Sequence, residues 1–231
     1  MKTALLLSLL ACMLTLATGC KKEPSTVGDS APAQRGVTQT SGPSADTAPS
    51  TLEQLALKDA QAFLGGGGNV NAKDSLGTTR LMDAALNDYG DVVILLASQD
   101  ADVNATDDTL GQTALHLCAI GDNARAAAAL IQKGANINAK DRRGKTPLHE
   151  AASAGATDFL KLLLGSKADI KNQDGMGKTP LHRAAQASQA QAIAILLDAG
   201  ADPTVTDQRG RTPADYAKAS GNAQTVAAFN K

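Results

Sequence analysis

A short motif recurs along this chain at a nearly fixed spacing. It begins at a threonine, and the copies start at Thr79, Thr113, Thr146, Thr179 and Thr212, so the successive steps are 34, 33, 33 and 33 residues. A fixed period of this size is typical of a solenoid, in which each repeat is one supersecondary unit that buries its apolar face against its neighbours. The period therefore constrains the fold more than any other feature of the sequence.

Each copy contains the signals of two short helices. The threonine is predicted to cap the first helix, and the proline that follows it in three copies suits the first helical position, where an N–H needs no partner. A second helix carries paired aliphatic residues such as Leu163-Leu164 and stops near Gly134 or Gly200. An arm with a turn leads to the next threonine, and an additional residue at Asp107-Asp108 explains the 34-residue step. The pattern predicts an all-α solenoid of stacked helix–turn–helix units.

The motif resembles that of the ankyrin repeat family. Its Thr-Pro-Leu-His core occurs intact at 146–149 and at 179–182, and the resemblance extends over about residues 57–231. The resemblance implies that the first helices line a concave face, that the second helices line a convex face, and that the arms project as β-turn fingers. It also implies a function in protein recognition that needs no cofactor.

The two ends of the repeat array differ from its middle. Residues 50–74 are predicted to form an N-terminal capping repeat, in which Ser50 and Glu53 have the spacing of a capping box. Residues 75–207 hold the central ankyrin repeats, and residues 208–231 form a C-terminal capping repeat, where Asp215 stands in the histidine position. Terminal repeats are expected to be atypical because one of their faces meets water.

The first 49 residues predict export and anchoring. Residues 1–19 combine an early lysine with an apolar run that is short for a membrane span, as in a signal peptide. The run ends at Cys20, in a setting that resembles a bacterial lipobox, and the alternative is a signal peptide with an incidental cysteine. Residues 20–49 are rich in Ser, Thr, Ala, Pro and Gly and predict a disordered tether. By resemblance, Lys21 favours the outer membrane, facing the periplasm, over the inner membrane.

No residue pattern in the sequence indicates catalysis or metal binding. His116, His149 and His182 occupy one slot in successive repeats, about 10 Å apart, which is too far to share an ion. They are predicted to hydrogen-bond the backbone of the turns between repeats. The run Gly65 to Gly68 lacks the Lys-Ser/Thr of a phosphate-binding loop and is interpreted as a helix stop. Cys118 is predicted to be a small buried hydrophobe. We expect no enzyme, no cofactor and no metal site.

Charge is unevenly distributed, although the net charge is only −1 and gives no reason to expect nucleic acid binding. Residues 74–108 hold eight acids and one base, whereas residues 140–183 hold nine bases and five acids. Two interpretations stay open: a solubilising edge, or a docking edge for an acidic protein surface. Candidate partner-binding residues are the finger positions Arg142, Arg143, Lys145, Met176, Lys178, Arg209 and Arg211, with Arg183 and, more weakly, Ser153 and Gln186 on the concave side.

These observations predict a monomeric, non-enzymatic protein–protein interaction module, anchored through lipid in the periplasm. The first hypothesis is an adaptor that supports or inhibits an envelope protein. The resemblance suggests two further roles, since some bacterial periplasmic ankyrin proteins are associated with catalase and oxidative stress defence, and others act as immunity proteins against toxins delivered to the periplasm.

Overall fold

The computed structural model describes residues 51–230. The predicted signal peptide, the lipidation site Cys20, the tether and the Ser50 cap lie outside the described residues and stay predictions. Within the described part, no helix is long and apolar enough to span a membrane.

The described chain is helical, and its helices come in pairs. An isolated antiparallel β-bridge joins Lys73 to Thr79 in the segment between the first two helices. The helices are α1 (Thr51–Gly65), α2 (Arg80–Leu86), α3 (Gly90–Ser98), α4 (Ala114–Cys118), α5 (Ala124–Gln132), α6 (Pro147–Ala154), α7 (Thr157–Gly165), α8 (Pro180–Gln186), α9 (Ala190–Asp198), α10 (Pro213–Ser220) and α11 (Ala223–Ala227).

The helices pack in chain order, as in a solenoid. The first helices α2, α4, α6, α8 and α10 each contact the next first helix along the chain. The second helices α3, α5, α7, α9 and α11 do the same, and α1 begins this row by packing on α3. Each first helix also contacts the second helix of its own repeat. The predicted all-α stack of helix–turn–helix units is confirmed.

The core consists of alanine and leucine side chains between neighbouring repeats. Ala151 and Ala152 of α6 are fully buried, and their small side chains allow the helices to approach closely. Leu160 and Leu163 of α7 are fully buried beside Phe159. Burial of a leucine side chain contributes about 2 kcal/mol. Because the chain has no Trp and 2% aromatic residues, aliphatic packing between repeats dominates the stability.

The helix boundaries follow the predicted signals. Thr79 caps α2 by accepting a hydrogen bond from the Met82 amide at 3.3 Å. The first residues of α6, α8 and α10 are prolines. Gly155 ends α6 with a φ of 75°, a left-handed conformation that glycine adopts without strain.

Cys118 and two leucines of α1 differ in burial. Cys118 is fully buried, and burial raises the pKa of its thiol to about 12, so it is a packed hydrophobe as predicted. Leu52 and Leu55 of α1, in contrast, are 68% and 66% exposed. The physical reason is that α1 begins the described row of second helices and has a neighbour on one side only.

Candidate protein-binding face

Histidine side chains link successive repeats through hydrogen bonds to backbone. The Nδ1 atom of His149 lies 3.1 Å from the amide nitrogen of Thr146 in its own repeat. Its Nε2 atom donates to the carbonyl oxygen of Lys178, in the next finger, at 2.9 Å. Because an amide can only donate and a carbonyl can only accept, these partners select the neutral tautomer with its proton on Nε2.

The other two histidines repeat this arrangement. His116 bonds the amide of Thr113 and the carbonyl of Lys145, and His182 bonds the amide of Thr179 and the carbonyl of Arg211. All three rings are fully buried. Burial lowers the pKa of His149 to about 4 and also lowers the pKa of the other two. The prediction that these side chains hydrogen-bond turn backbone between repeats is confirmed.

The last repeat uses an aspartate in the histidine position. Asp215 Oδ2 accepts from the amide and the hydroxyl of Thr212, at 2.9 and 2.7 Å. A carboxylate completes the capping box but has no N–H to donate to a further repeat. This difference is consistent with a unit that closes the stack.

The fingers are β-turns joined to one another by backbone hydrogen bonds. In the third finger the amide of Gly144 donates to the carbonyl of Asp141 at 2.9 Å, and Gly144 has a φ of 73°. The amide of Gly175, in the fourth finger, donates to the carbonyl of Arg143 at 2.8 Å. A Cβ on Gly144 would lie 2.8 Å from the Gly175 nitrogen. The bonds between fingers therefore form a continuous, close-packed row.

A buried aspartate at the base of each later finger organises the turn, a role that we did not predict from the sequence. Asp141 Oδ1 accepts from the amides of Arg143 and Lys145 at 2.8 and 2.7 Å. Asp174 and Asp207 make the corresponding pairs of bonds in the next two fingers. The signal was present in the sequence, because these aspartates recur at the 33-residue period.

Two of the finger-base aspartates, Asp174 and Asp207, receive a second donor from the first helix of the same repeat. Arg183 donates from Nε to Asp174 Oδ2 at 2.7 Å, and the Tyr216 hydroxyl donates to Asp207 Oδ2 at 2.6 Å. Burial by itself raises the pKa of Asp207, but the hydrogen bonds from Tyr216 and from two finger amides outweigh it and lower the pKa to about 2. Both carboxylates are therefore ionised at neutral pH.

Several basic residues that we predicted at open finger tips are paired within the chain. Lys145 forms a 2.9 Å ion pair with Glu150. Lys178 is 5% exposed, and its ammonium lies 4.4 Å from the ring centroid of Tyr216 and donates to Gln186. Placing Lys145 and Lys178 at exposed tips is therefore wrong. The physical reason is that each points from the finger back across the first helices.

Arg183 and Arg211 are also held by partners within the protein. Arg183, predicted as a concave contact, forms an ion pair with the buried Asp174. Arg211 stacks on Tyr216, with the guanidinium carbon 4.1 Å from the ring centroid. These partners hold both guanidinium groups against the protein. Of the weaker candidates, Ser153 is half-buried and Gln186 is exposed.

Four of the predicted contact residues are exposed in the finger row. Arg142, Arg143 and Arg209 are exposed, and none forms an ion pair with another described residue. Met176 is 53% exposed, as predicted for an apolar tip. We call Arg142, Arg143, Met176 and Arg209 the finger edge.

Comparison with known proteins identifies the repeat. A family model described as ankyrin repeats (3 copies) matches residues 81–174, 128–207 and 158–229, which together span more than half of the 231 residues. The chain belongs to the ankyrin repeat family. Membership indicates a protein–protein interaction module and gives no positive evidence of catalysis.

Curated relatives share parts of this ankyrin array. The neurogenic locus Notch protein of Drosophila melanogaster is 38% identical over 107 residues, or 40% of this chain and 4% of that protein. The neurogenic locus notch homolog protein 2 of Homo sapiens is 36% identical over 103 residues, 38% of this chain and 4% of its own length. The nuclear factor NF-kappa-B p105 subunit of Mus musculus is 41% identical over 66 residues, which cover 28% of this chain and 7% of that protein. The chain thus spans a small fraction of these relatives.

The first two ankyrin repeats expose apolar side chains that we did not predict as contacts. Leu86 and Ile120 are exposed in equivalent positions, seven residues after the capping threonines Thr79 and Thr113. Leu76, at the tip of the first finger, is exposed as well. The later repeats carry Ser153 and Gln186 in the position of Leu86. The residue at this helix position therefore changes from apolar to polar along the stack.

Proposed function

We propose that this ankyrin-repeat protein is a lipid-anchored periplasmic adaptor that binds one envelope protein through its finger edge. The observation that carries the proposal is the exposure of Arg142, Arg143 and Arg209 without ion pairs among the described residues. Lys145 and Arg183, by contrast, are paired with Glu150 and Asp174 within the protein. Arg142 donates one hydrogen bond from its guanidinium to the Thr109 carbonyl at 3.1 Å, and its other N–H groups remain available. Exposed guanidinium groups without an ion pair favour an acidic partner surface, to which they donate hydrogen bonds.

The finger row suits binding because it is ordered before a partner arrives. Backbone bonds between fingers and the buried aspartates fix the turns that carry the arginines. A partner therefore needs to order only the arginine side chains and Met176, which reduces the entropy cost of association. Met176 supplies an apolar contact beside the charges.

Charge reversal tests this proposal. The double variant Arg142→Glu with Arg143→Glu should capture less partner from an envelope extract than the wild type. Its thermal unfolding should change little, because both side chains are exposed. The matched control is Lys133→Glu with Lys161→Glu, which changes charge equally on exposed residues at the second helices. Equal capture by the finger variant and the control would reduce the finger edge to a solubilising surface.

The captured protein also separates the possible roles. A toxin delivered to the periplasm would support an immunity role, and a catalase would support an accessory role in oxidative stress defence. A structural envelope protein would support the adaptor hypothesis.

The anchor is tested separately. Substitution Cys20→Ser removes the thiol that the lipid would occupy, so the protein should move from the membrane fraction to the soluble fraction. Continued sedimentation of the variant with membranes would contradict lipid anchoring.

A further inference from the structure

In the last two repeats the second oxygen of the finger-base aspartate faces one position of the first helix. That position lies four residues after the capping threonine and holds Glu150, Arg183 and Tyr216 in the last three repeats. In two of them the chain supplies a donor: Arg183 to Asp174 Oδ2 and Tyr216 to Asp207 Oδ2. The aspartate oxygens at these sites are therefore fully used within the protein.

The third finger has the same aspartate but no such donor. Asp141 is 6% exposed, and its Oδ1 accepts the same two finger amides as in the later repeats. Its Oδ2 is buried and has no hydrogen-bond partner. The residue in the donor position is Glu150, whose Oε1 forms an ion pair with Lys145 Nζ at 2.9 Å. As a carboxylate, Glu150 cannot donate a hydrogen bond to Asp141. Since Oδ1 is fixed by the same amides, Oδ2 is directed toward the Glu150 position.

A buried carboxylate oxygen without a donor is unfavourable, and native proteins rarely leave one. The carboxylates of Asp141 and Glu150 together carry two negative charges, and the Lys145 ammonium balances one of them. The neighbouring repeat shows which group fits, because Arg183 fills the equivalent space with a guanidinium. A planar guanidinium also has enough N–H groups to bond Asp141 and Glu150 together.

A metal ion fits this site less well than a guanidinium. Calcium needs six or more oxygen ligands, and here an ammonium already lies against one of the two carboxylates. Across residues 51–230 no group of three or more His, Cys, Asp or Glu side chains is placed to hold a metal.

We propose that Asp141 and Glu150 form an arginine notch, which receives the guanidinium of an arginine side chain presented by the partner protein. The proposal rests on the protein-binding role and names one chemical feature of the partner. Arg142 and Arg143 stand on the same finger, so the partner's arginine should be flanked by acidic residues that pair with them.

The notch can be tested without the partner, so that its failure is distinguishable from failure of the adaptor hypothesis. The probe is N-acetylarginine methylamide, and the reporters are the amide resonances of Arg143 and Lys145, which donate to Asp141. These resonances should shift and saturate on titration. The amides of Met176 and Lys178, at the occupied Asp174, serve as internal controls and should not shift. The citrulline analogue, which lacks the charge, should leave all four resonances unchanged.

Two variants complete the experiment. Asp141→Asn keeps an oxygen for the finger amides but replaces the free acceptor by a donor, so the probe should no longer shift Arg143 and Lys145. Glu150→Arg should supply the missing guanidinium from within the chain, raise the urea midpoint and remove the response to the probe. The proposal is overturned if Arg143 and Lys145 fail to shift in the wild type, if citrulline shifts them equally, or if Asp141→Asn still responds.

Discussion

Protonation of His149 should loosen the junction between the third and fourth repeats. The neutral ring accepts from Thr146 and donates to the Lys178 carbonyl, so both nitrogens are used. An added proton on Nδ1 would face an amide N–H and would place a charge in a fully buried position. Acidification therefore acts on the contact that holds two repeats together.

The size and sign of the effect follow from the pKa. Burial lowers the pKa of His149 from 6.5 to about 4. In the unfolded chain the ring is protonated below about pH 6.5, whereas in the folded chain it stays neutral down to about pH 4. The neutral ring therefore contributes its full stabilisation above pH 6.5, and this contribution is lost as the pH falls toward 4. At 1.36 kcal/mol for each pH unit, the loss attributable to His149 is about 3 kcal/mol.

The assay is the free energy of unfolding in urea, measured at steps between neutral pH and pH 4. The comparison is with His149→Asn, whose amide oxygen can still cap Thr146 but does not titrate. At neutral pH the variant should be less stable by about 2 kcal/mol, since it loses a buried hydrogen bond and part of the ring volume. Since only the wild type loses the His149 contribution of about 3 kcal/mol on acidification, the order should reverse, and at pH 4 the variant should be more stable by about 1 kcal/mol. The acidic residues titrate in both proteins and cancel.

The reasoning would be refuted if the two unfolding free energies ran parallel between pH 6.5 and 4. A direct titration of the His149 ring by NMR offers an independent check. A pKa near the usual value of 6.5 in the folded protein would show that the ring is not held neutral between the repeats.

Three other substitutions give expected changes in unfolding free energy. Gly144→Ala should cost at least about 1 kcal/mol, because the φ of residue 144 is positive and the new Cβ meets the next finger. Gly134→Ala, where φ is also positive but the surrounding space is open, should cost less. Equal losses in the two variants would contradict the role of the contact between fingers. Arg183→Met should cost about 3 kcal/mol, because the buried Asp174 carboxylate keeps its charge but loses its partner. An unfolding free energy no lower than that of a variant with methionine at the exposed Lys161 would contradict this. Leu163→Ala should cost roughly 2–5 kcal/mol, and a neutral result would contradict full burial.

The repeated parts of the fold could be predicted from the sequence because they are local and periodic. The Thr146 cap, the Pro147 helix start and the Gly155 stop each act within a few residues, so their pattern alone identifies them. The histidine bonds were predictable for a related reason: stacking copies at a fixed period places each ring beside the turn of the next repeat.

The candidate site was harder to predict because it depends on positions that vary between repeats. A count of charges treats Lys145, Lys178 and Arg142 alike, but only the structure shows that the first two turn back to Glu150 and Gln186. The partners of Asp174 and Asp141 are likewise set by the residue nine positions later, an arginine in one repeat and a glutamate in the other. Side-chain pairing across the finger, rather than composition, decides which charges stay free.

The central claim is that a partner protein binds at the finger edge rather than at the second helices. A photoreactive amino acid placed at Met176, and separately at Lys161 of α7, tests it most directly in living cells, because both positions are exposed. The account predicts a crosslinked protein of one size at position 176 and none at position 161. Crosslinking at position 161 alone, or equally at both positions, would contradict it.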